Sequence, residues 1–425
     1  MLGSITLMYS REGLVMKEIY SINNKQTSIN ISGSKIESVR EKNILKTGLR
    51  IYKDGFIGVS GAIGKFDADE LSKRANSALK AKVEYPYEIT SNIKKDVIIN
   101  NEIFKDNDFI NEIEEVLDYL RKNQSSFIFS NKINMSTVDT SLKNEENLNL
   151  NYKDSAITVE LVFKEKSSSN IMDGAIVFED RKYNKNDFIS ISDDFLNAYK
   201  NNVEFKKEGK YPVVFASIDD TPFIKFISDL NGRVFGTGSS LFSKNLGKKI
   251  FNDSFTLYNS LSPEDICLQP FFDAEGTINK DYRFPLIENG VLKAANTDKK
   301  TAAMFNLPLT GSAVCDYDSI PQPGISKLKV KECEKTAKEL LGGDMGIFVA
   351  DAAGGDFTPD GNFATPVQLA FLYDGEKIIG RLPELQISSN IFEMYGNSFR
   401  GVSKNDIWPL GNIKAMIMDM DVKKL

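Results

Sequence analysis

A chain of 425 residues is too long for one ordinary hydrophobic core, so its length predicts two or three domains. With 41% hydrophobic and 26% charged residues it has the composition of a soluble globular protein, and a formal charge of −6 argues against non-specific binding to nucleic acid. No apolar run approaches the roughly 20 residues that a bilayer requires, which predicts that the chain has no membrane span.

The chain has three cysteines and no histidine, and these counts restrict its chemistry. Cys267, Cys315 and Cys333 have no paired spacing, and the N-terminus lacks the basic flank and cleavage site of a signal peptide. Both features predict a reduced, cytoplasmic protein. Without imidazole, the chain cannot form a Ser-His-Asp or Cys-His nucleophilic system or a histidine-based zinc site. Any catalysis would have to use carboxylates, Lys, Tyr, Ser or Cys.

Residues 1–205 are predicted to form an N-terminal α+β domain. Short strands open it, and a hairpin follows from Thr47 to Gly61 around an Asp-Gly turn, since these two residues readily adopt positive φ. Apolar residues at helical spacing predict a helix over 68–81, with Asp67 as its N-cap. The domain therefore begins as a small sheet with a helix against it.

The rest of this domain changes from helix to strand and back. An apolar stripe predicts a helix over 106–122. Short apolar runs separated by Asn, Lys and Ser turns then predict an antiparallel meander over about 126–180, and a helix over 193–200 follows.

Residues 210–425 are predicted to form a β-rich C-terminal domain, which makes the whole chain α+β with two domains. A buried strand over 211–216 precedes a helix over 223–230, because a proline at the start favours the first helical turn. Further helices are predicted over 330–341 and 385–395.

The stretch Phe271–Ala303 is the most informative part of this second domain. An Asn289-Gly290 turn between apolar runs is a strong signal for a hairpin. Asp273 and Glu275 lie in a polar loop at one end of it. Loops beside buried strands often carry functional residues, which makes this loop a candidate site.

Four segments, in this order along the chain, carry a resemblance to a known family: TGLRIYKDGFIGVSG (Thr47–Gly61), GSSLFSKNLGKKI (Gly238–Ile250), FFDAEGT…PLIENGVLK (Phe271–Lys293) and GGDMGIFVADAAGGDFTPDGNFATPVQLAFLYDGEKI (Gly342–Ile378). They resemble the TldD/PmbA family, whose members carry the older label "modulator of DNA gyrase" and are related to metallopeptidases. The resemblance covers roughly residues 17–415 and implies a metallopeptidase-like C-terminal domain.

The resemblance also bears on metal binding. Peptidase subunits of the TldD type resemble zinc enzymes with a helical His-Glu-x-x-x-His motif and a late cysteine. Here the corresponding helix, 223–231, has neither ligand, and 403–414 contains no cysteine. This pattern implies a PmbA/TldE-like, non-catalytic subunit without metal or cofactor. Its implied partner is a TldD-type metalloprotease subunit, in a heterodimer that processes peptides.

Several residues are candidates for a site, and two other functions stay open. Asp273 and Glu275 could form a catalytic carboxylate pair, although such residues more often accept backbone N–H bonds in a turn or orient a basic residue such as Arg283. Peptide binding is assigned to the following positions: Gly238, Ser239, Ser240, Phe272 and Gly276. The alternative functions are a metal-free hydrolase, using Asp273/Glu275 or Ser239/Ser240, and a stand-alone homodimeric peptide-binding protein. Cys315 lacks a histidine to activate it as a nucleophile.

Overall fold

The computed structural model of the chain describes residues 15–99, 103–104, 108–325 and 327–425. Its N-terminal half forms one sheet with helices against it. In chain order the elements are β1 (Val15–Ser32), β2 (Lys35–Lys53), β3 (Phe56–Ile63), α1 (Ala68–Ala78), β4 (Val83–Glu84), β5 (Lys94–Ile98), α2 (Phe109–Asn123), β6 (Phe127–Asn144), β7 (Asn149–Glu165), β8 (Gly174–Asp180) and α3 (Lys185–Lys200).

The strands of this sheet are longer than their sequence patterns predict. They lie in the order β4-β3-β2-β1-β6-β7-β5, and β8 pairs with β7. The sequence predicts separate short runs near 17–21 and 27–32, whereas β1 is one strand that includes the polar residues between them. Both β2 and β6 pair along this polar stretch, so its backbone groups are hydrogen-bonded whatever its side chains are. The hairpin turn at Asp54-Gly55 is confirmed, with φ of 50° and 79°.

Capping side chains next to the helices fix where α1 and α3 begin. The Asp67 side chain accepts the backbone N–H groups of Asp69 and Glu70, which confirms the predicted cap of α1. Helix α3 begins at Lys185, well before the predicted position, because the side chain of Asn184 caps it. The first residues of the helix predicted over 106–122 lie outside the described residues. No helix in the described ranges is both long and apolar enough to cross a membrane.

The C-terminal half contains many short strands and short helices. In chain order they are β9 (Gly209–Ala216), α4 (Ile224–Asp229), α5 (Gly232–Gly236), β10 (Leu257–Ser260), β11 (Arg283–Glu288), β12 (Val291–Leu292), α6 (Lys299–Phe305), β13 (Ala313–Val314), β14 (Gln322–Pro323), β15 (Leu328–Val330), α7 (Ala337–Leu341), β16 (Gly346–Ala352), β17 (Asp356–Phe357), β18 (Asn362–Tyr373), β19 (Ile378–Arg381), β20 (Leu385–Asn390), α8 (Ile391–Met394), β21 (Phe399–Asp406) and β22 (Lys414–Lys424). The fold class, strand-rich α+β, is confirmed.

Five strands of the larger C-terminal sheet pair in a closed ring, β16-β9-β22-β20-β18, which returns to β16. A ring leaves fewer open strand edges than a flat sheet of the same size. A smaller sheet has the order β12-β11-β10-β15 and contains the predicted hairpin, whose turn residues Asn289 and Gly290 have φ of 49° and 76°.

Two helices in this half are shorter than predicted. The helix predicted over 330–341 is confined to α7, because β15 pairs with β10 up to Val330 and Thr336 forms a capping box that starts the helix at Ala337. The helix predicted over 385–395 is confined to α8, because the first part of this range forms β20, which pairs with β18 and β22 on its two sides. In both places strand pairing with distant residues overrides the local helical spacing.

One apolar core includes residues from both halves of the chain. Helices α2 and α3 contribute Leu117 and Phe195, and the C-terminal sheet contributes Val214, Phe348 and Phe371. The rings of Phe195 and Phe371 meet edge to face with centroids 4.9 Å apart. The domain boundary near 205–210 stays a prediction, and the two halves pack closely against each other.

A glycine in β2 marks a second close approach between the halves. A Cβ atom built on Gly48 would overlap the backbone carbonyl oxygen of Tyr317, which cannot rotate away as a side chain could. We expect Gly48→Ala to lower the free energy of unfolding by about 1–3 kcal/mol. The loss should lie toward the upper end of this range, because the overlapping atom belongs to the backbone, and urea titrations measure it. Gly33→Ala is the control: no atom lies within 4 Å, and only its φ of 56° makes alanine unfavourable. Equal stability of the two variants would contradict this packing.

Candidate functional site

The acidic loop, Phe271–Thr277, lies between the two halves of the chain. Phe271 and Phe272 are buried and pack against the N-terminal sheet, in a cluster with Tyr20, Leu142, Leu148, Leu150 and Tyr152. Gly276 has a φ of 74°, and a Cβ atom there would lie 3.1 Å from both Leu142 and Leu148. Two positions predicted to bind peptide, Phe272 and Gly276, therefore contact the protein's own sheet.

Asp273 holds the acidic loop in shape. Its Oδ1 accepts the backbone N–H groups of Glu275 at 2.9 Å and Thr277 at 2.8 Å, and its Oδ2 accepts that of Ala313 at 3.0 Å. Burial raises the pKa of Asp273, and these N–H donors oppose the rise because they favour the charged form. Asp273 therefore stabilises the turn by accepting backbone N–H groups, which is the role that the sequence favours.

Glu275 joins the two halves through its two carboxylate oxygens. Its Oε1 accepts the hydroxyl of Tyr85 at 2.6 Å, and its Oε2 accepts the backbone N–H of Lys299, at the start of α6, at 2.8 Å. Burial raises the pKa of Glu275 to about 7, and the charge of Asp273 adds to the rise. Burial and the carboxylate of Glu275 together raise the pKa of Tyr85 well above its usual range.

Arg50 makes a second link between the halves. Its guanidinium donates to Glu18 Oε1 at 3.0 Å, to the carbonyl oxygen of Ala274 at 2.6 Å and to Cys315 Sγ at 3.0 Å. Tyr52 also donates its hydroxyl to Glu18 Oε1, at 3.0 Å. Arg50 and Glu18 are both buried, so this ion pair lies inside the protein.

The sequence did not predict Arg50 and Tyr85 as partners of the acidic loop, and it predicted Arg283 instead. Arg283, the predicted basic partner of the loop, instead binds Asp265 with its Nε and Nη2 at 2.5 Å and 3.0 Å. One feature of the sequence could have indicated Arg50: it is a charged residue inside the apolar run that forms the buried part of β2. For Tyr85 no local signal exists, because its partner lies 190 residues further along the chain.

The predicted positions Gly238, Ser239 and Ser240 form a separate turn after α5. The Ser240 hydroxyl accepts the backbone N–H of Phe242 at 2.9 Å, and the hydroxyls of Ser239 and Thr237 lie 3.2 Å apart. Within the described part of the chain, no hydrogen bond joins these serines to a carboxylate, an amine or the acidic loop. The structure thus gives neither serine a base for nucleophilic attack.

Sequence models of a known family match most of this architecture. The model described as the PmbA/TldA metallopeptidase C-terminal domain matches residues 208–421, about half of the chain, and the one described as PmbA/TldA metallopeptidase domain 1 matches residues 18–82. The chain belongs to the PmbA/TldD family. The acidic loop and α4 lie in the first match, and Glu18 and Arg50 lie in the second.

Relatives of this PmbA/TldD chain are distant in sequence and close in fold. An uncharacterised protein of Methanocaldococcus jannaschii is 21% identical over 403 residues, 93% of each chain. A zinc metalloprotease TldD homologue of Saccharolobus solfataricus is 25% identical over 205 residues, 47% of this chain and 45% of the relative. Among solved structures, TldE from Thermococcus kodakarensis has a TM-score of 0.73 at 18% identity, with 96% of each chain covered. A Thermotoga maritima protein described as a modulator of a DNA gyrase has a TM-score of 0.76 at 16% identity, with 96% of each covered.

Helix α4 lies where the resemblance places the zinc-binding helix of peptidase subunits, and its side chains do not fit that metal. Lys225 Nζ is 3.1 Å from Asp229 Oδ1, and Asp229 Oδ2 also accepts the backbone N–H of Leu241 at 2.7 Å. A charged ammonium has no lone pair to give to Zn²⁺, whose usual ligands are Cys, His and carboxylates. In the ranges that the structure describes, no three Cys, Asp or Glu side chains are grouped to bind a metal ion.

Proposed function

We propose that this chain is a PmbA/TldE-like, non-catalytic subunit that binds a TldD-type zinc metalloprotease subunit and helps it to process peptides. The observation that carries the proposal is the ion pair of Lys225 and Asp229 on α4. It occupies the helix on which a peptidase subunit would present zinc ligands, and the chain has no histidine anywhere to replace them. The chain would contribute binding surface, and its partner the metal, in the cytoplasm.

The geometry of the acidic loop favours this role over a metal-free hydrolase. Asp273 and Glu275 are each 3% exposed, and their oxygens accept hydrogen bonds from the protein itself. A carboxylate pair that activates water must reach both the water and the substrate. These two carboxylates instead hold the loop and the two halves together.

The proposal predicts a specific division of metal and activity between two proteins. The isolated chain should contain well under one zinc per molecule by elemental analysis and should not cleave peptides. Mixed with the TldD-type subunit of the same cell, it should elute as a heterodimer in size-exclusion chromatography, with zinc in the partner and EDTA-sensitive peptidase activity in the complex.

Several outcomes would contradict the proposal. Stoichiometric zinc in the isolated chain, or peptidase activity that EDTA abolishes, would make it a metallopeptidase in its own right. Metal-independent activity that Asp273→Asn and Glu275→Gln both abolish would favour the hydrolase. A stable homodimer that does not exchange with the TldD-type subunit would favour a stand-alone binding protein.

A further inference from the structure

An open cavity of about 270 Å³ lies in the N-terminal half, away from α4. We name it the tyrosine cavity, because the rings of Tyr52, Tyr85 and Tyr87 line it. The centroids of Tyr52 and Tyr85 are 5.2 Å apart, and so are those of Tyr85 and Tyr87, at interplanar angles of 51° and 81°, so the three rings form one contiguous cluster that presents both ring faces and ring edges. Its volume is below the range of about 300–1,000 Å³ for drug-sized ligands, so a side chain is a better match than a whole cofactor.

The described charged residues that line the tyrosine cavity are mainly acidic. They are Asp54, Glu88 and Glu146, with Lys53 as the basic residue among the described lining residues. Aromatic faces attract cations through the negative charge of their π-systems, and surrounding carboxylates add to this attraction. An anionic ligand would meet repulsion here, and a neutral one could donate hydrogen bonds to the carboxylates but would lack the charge attraction.

Two of the rings are fixed from behind by the network that joins the halves. Tyr85 donates its hydroxyl to Glu275, and Tyr52 donates its hydroxyl to Glu18, whose charge Arg50 balances. These bonds orient the two rings and place electron-rich acceptors on their hydroxyls. Burial raises the pKa of both tyrosines well above the usual range, so the rings stay neutral. Tyr87 is partly exposed and completes the surface toward solvent.

We propose that the tyrosine cavity binds the cationic side chain of an arginine or lysine residue in a polypeptide. Cation–π contact, mainly with Tyr87 because Tyr52 and Tyr85 are only 7% and 6% exposed, and charge attraction to the acidic residues would recognise the guanidinium or ammonium group. The chain already places Arg381 over the ring of Tyr199, 4.1 Å from its centroid. This proposal adds a specificity to the proposed peptide-binding role. It rests on that role only in assigning the cationic side chain to a peptide.

The test uses the isolated full-length chain and the peptide acetyl-Gly-Ala-Arg-Ala-Gly-amide. The comparison peptide has citrulline, a neutral group of the same shape, in place of arginine. Calorimetry or peptide-observed NMR should show that the arginine peptide binds at least about 5-fold more tightly. Ethylguanidine, which has the same single charge as the peptide, separates the two sources of the guanidinium: the peptide should bind more tightly than this small cation. Equal affinity for arginine and citrulline peptides would overturn the inference, and tighter binding of ethylguanidine would reassign the cavity to a small cation.

Substitutions in the cavity locate the binding. Tyr87→Leu and the double change Glu88→Gln with Glu146→Gln should each weaken the arginine peptide about 5-fold, whereas Tyr87→Phe, which keeps the aromatic face, should stay within about 2-fold. Glu145→Gln is the matched control, because Glu145 neighbours Glu146 but does not line the cavity. Equal losses in the control and in the cavity variants would overturn the inference.

Heterodimer formation with the TldD-type subunit is measured separately, so failure of one proposal does not decide the other.

Discussion

Replacing Arg50 with Met should lower the free energy of unfolding by about 3–5 kcal/mol, because it leaves a buried carboxylate without its counter-charge. Arg50 and Glu18 are 0% and 1% exposed, so no water reaches Glu18 to replace the lost guanidinium. The substitution also removes the hydrogen bond from Arg50 to the carbonyl oxygen of Ala274, 224 residues away in sequence. Urea titrations of the two proteins at pH 7 measure the difference.

Two further variants show whether the loss comes from the unpaired charge. In the double variant Glu18→Gln with Arg50→Met no charge is left unpaired, so it should be more stable than Arg50→Met alone. Arg40→Met changes an exposed arginine of the same strand and should shift stability by no more than about 0.5 kcal/mol. The explanation fails if the double variant is no more stable than Arg50→Met, or if Arg40→Met costs as much.

Glu275→Gln should make the stability of the protein less sensitive to pH between about 5 and 8. The pKa of Glu275 is raised from 4.5 to about 7 in the folded chain. Between pH 4.5 and about 7 the folded protein therefore holds a proton that the unfolded chain releases. Since stability falls with rising pH wherever the folded state binds more protons, the wild type should lose up to about 3 kcal/mol through this group by pH 8.

Glutamine keeps the geometry of Glu275 without the charge. Its carbonyl oxygen can accept the N–H of Lys299, and its amide can donate to the Tyr85 hydroxyl, so the variant should resemble the protonated wild type. The difference in free energy of unfolding, variant minus wild type, should be below about 1 kcal/mol at pH 5 and reach about 3 kcal/mol at pH 8. Urea titrations at pH 5, 6, 7 and 8 measure it.

The control for this pH dependence is Glu84→Gln, at an exposed carboxylate outside the network. Its difference from the wild type should not change with pH in the same way. A difference for Glu275→Gln that stays constant from pH 5 to pH 8 would show that Glu275 does not take up the proton on folding.

Local chemistry accounts for the parts of the fold that the sequence predicted well. Asp54-Gly55 and Asn289-Gly290 form hairpin turns because the positive φ of these residues is a property of the residues themselves. Asp67 caps α1 with its own side chain, two and three residues away. The helix predicted over 385–395 is reduced to α8, because β20 is held by pairing with β18 and β22, which the local pattern does not contain.

The same distinction applies to the candidate site. The sequence by itself determined which chemistry is possible: no histidine, three cysteines without a partner motif, and two carboxylates in a loop. It also carried the family resemblance, since that resemblance rests on four segments and their order along the chain. The family match and the fold support that resemblance, and the role as a subunit stays a proposal.

Only the tertiary structure decided what those carboxylates do. The sequence of the loop with Asp273 and Glu275 predicts a polar, accessible segment. Folding instead buries the loop between a sheet and α6, where the carboxylate oxygens of Glu275 accept hydrogen bonds from Tyr85 and the backbone of Lys299. Burial, and with it the pKa of Glu275, depends on residues that packing brings close, such as Tyr85, which is 190 residues away in the chain. For that reason the loop became a link between two halves of the protein rather than a pair of acids open to a substrate.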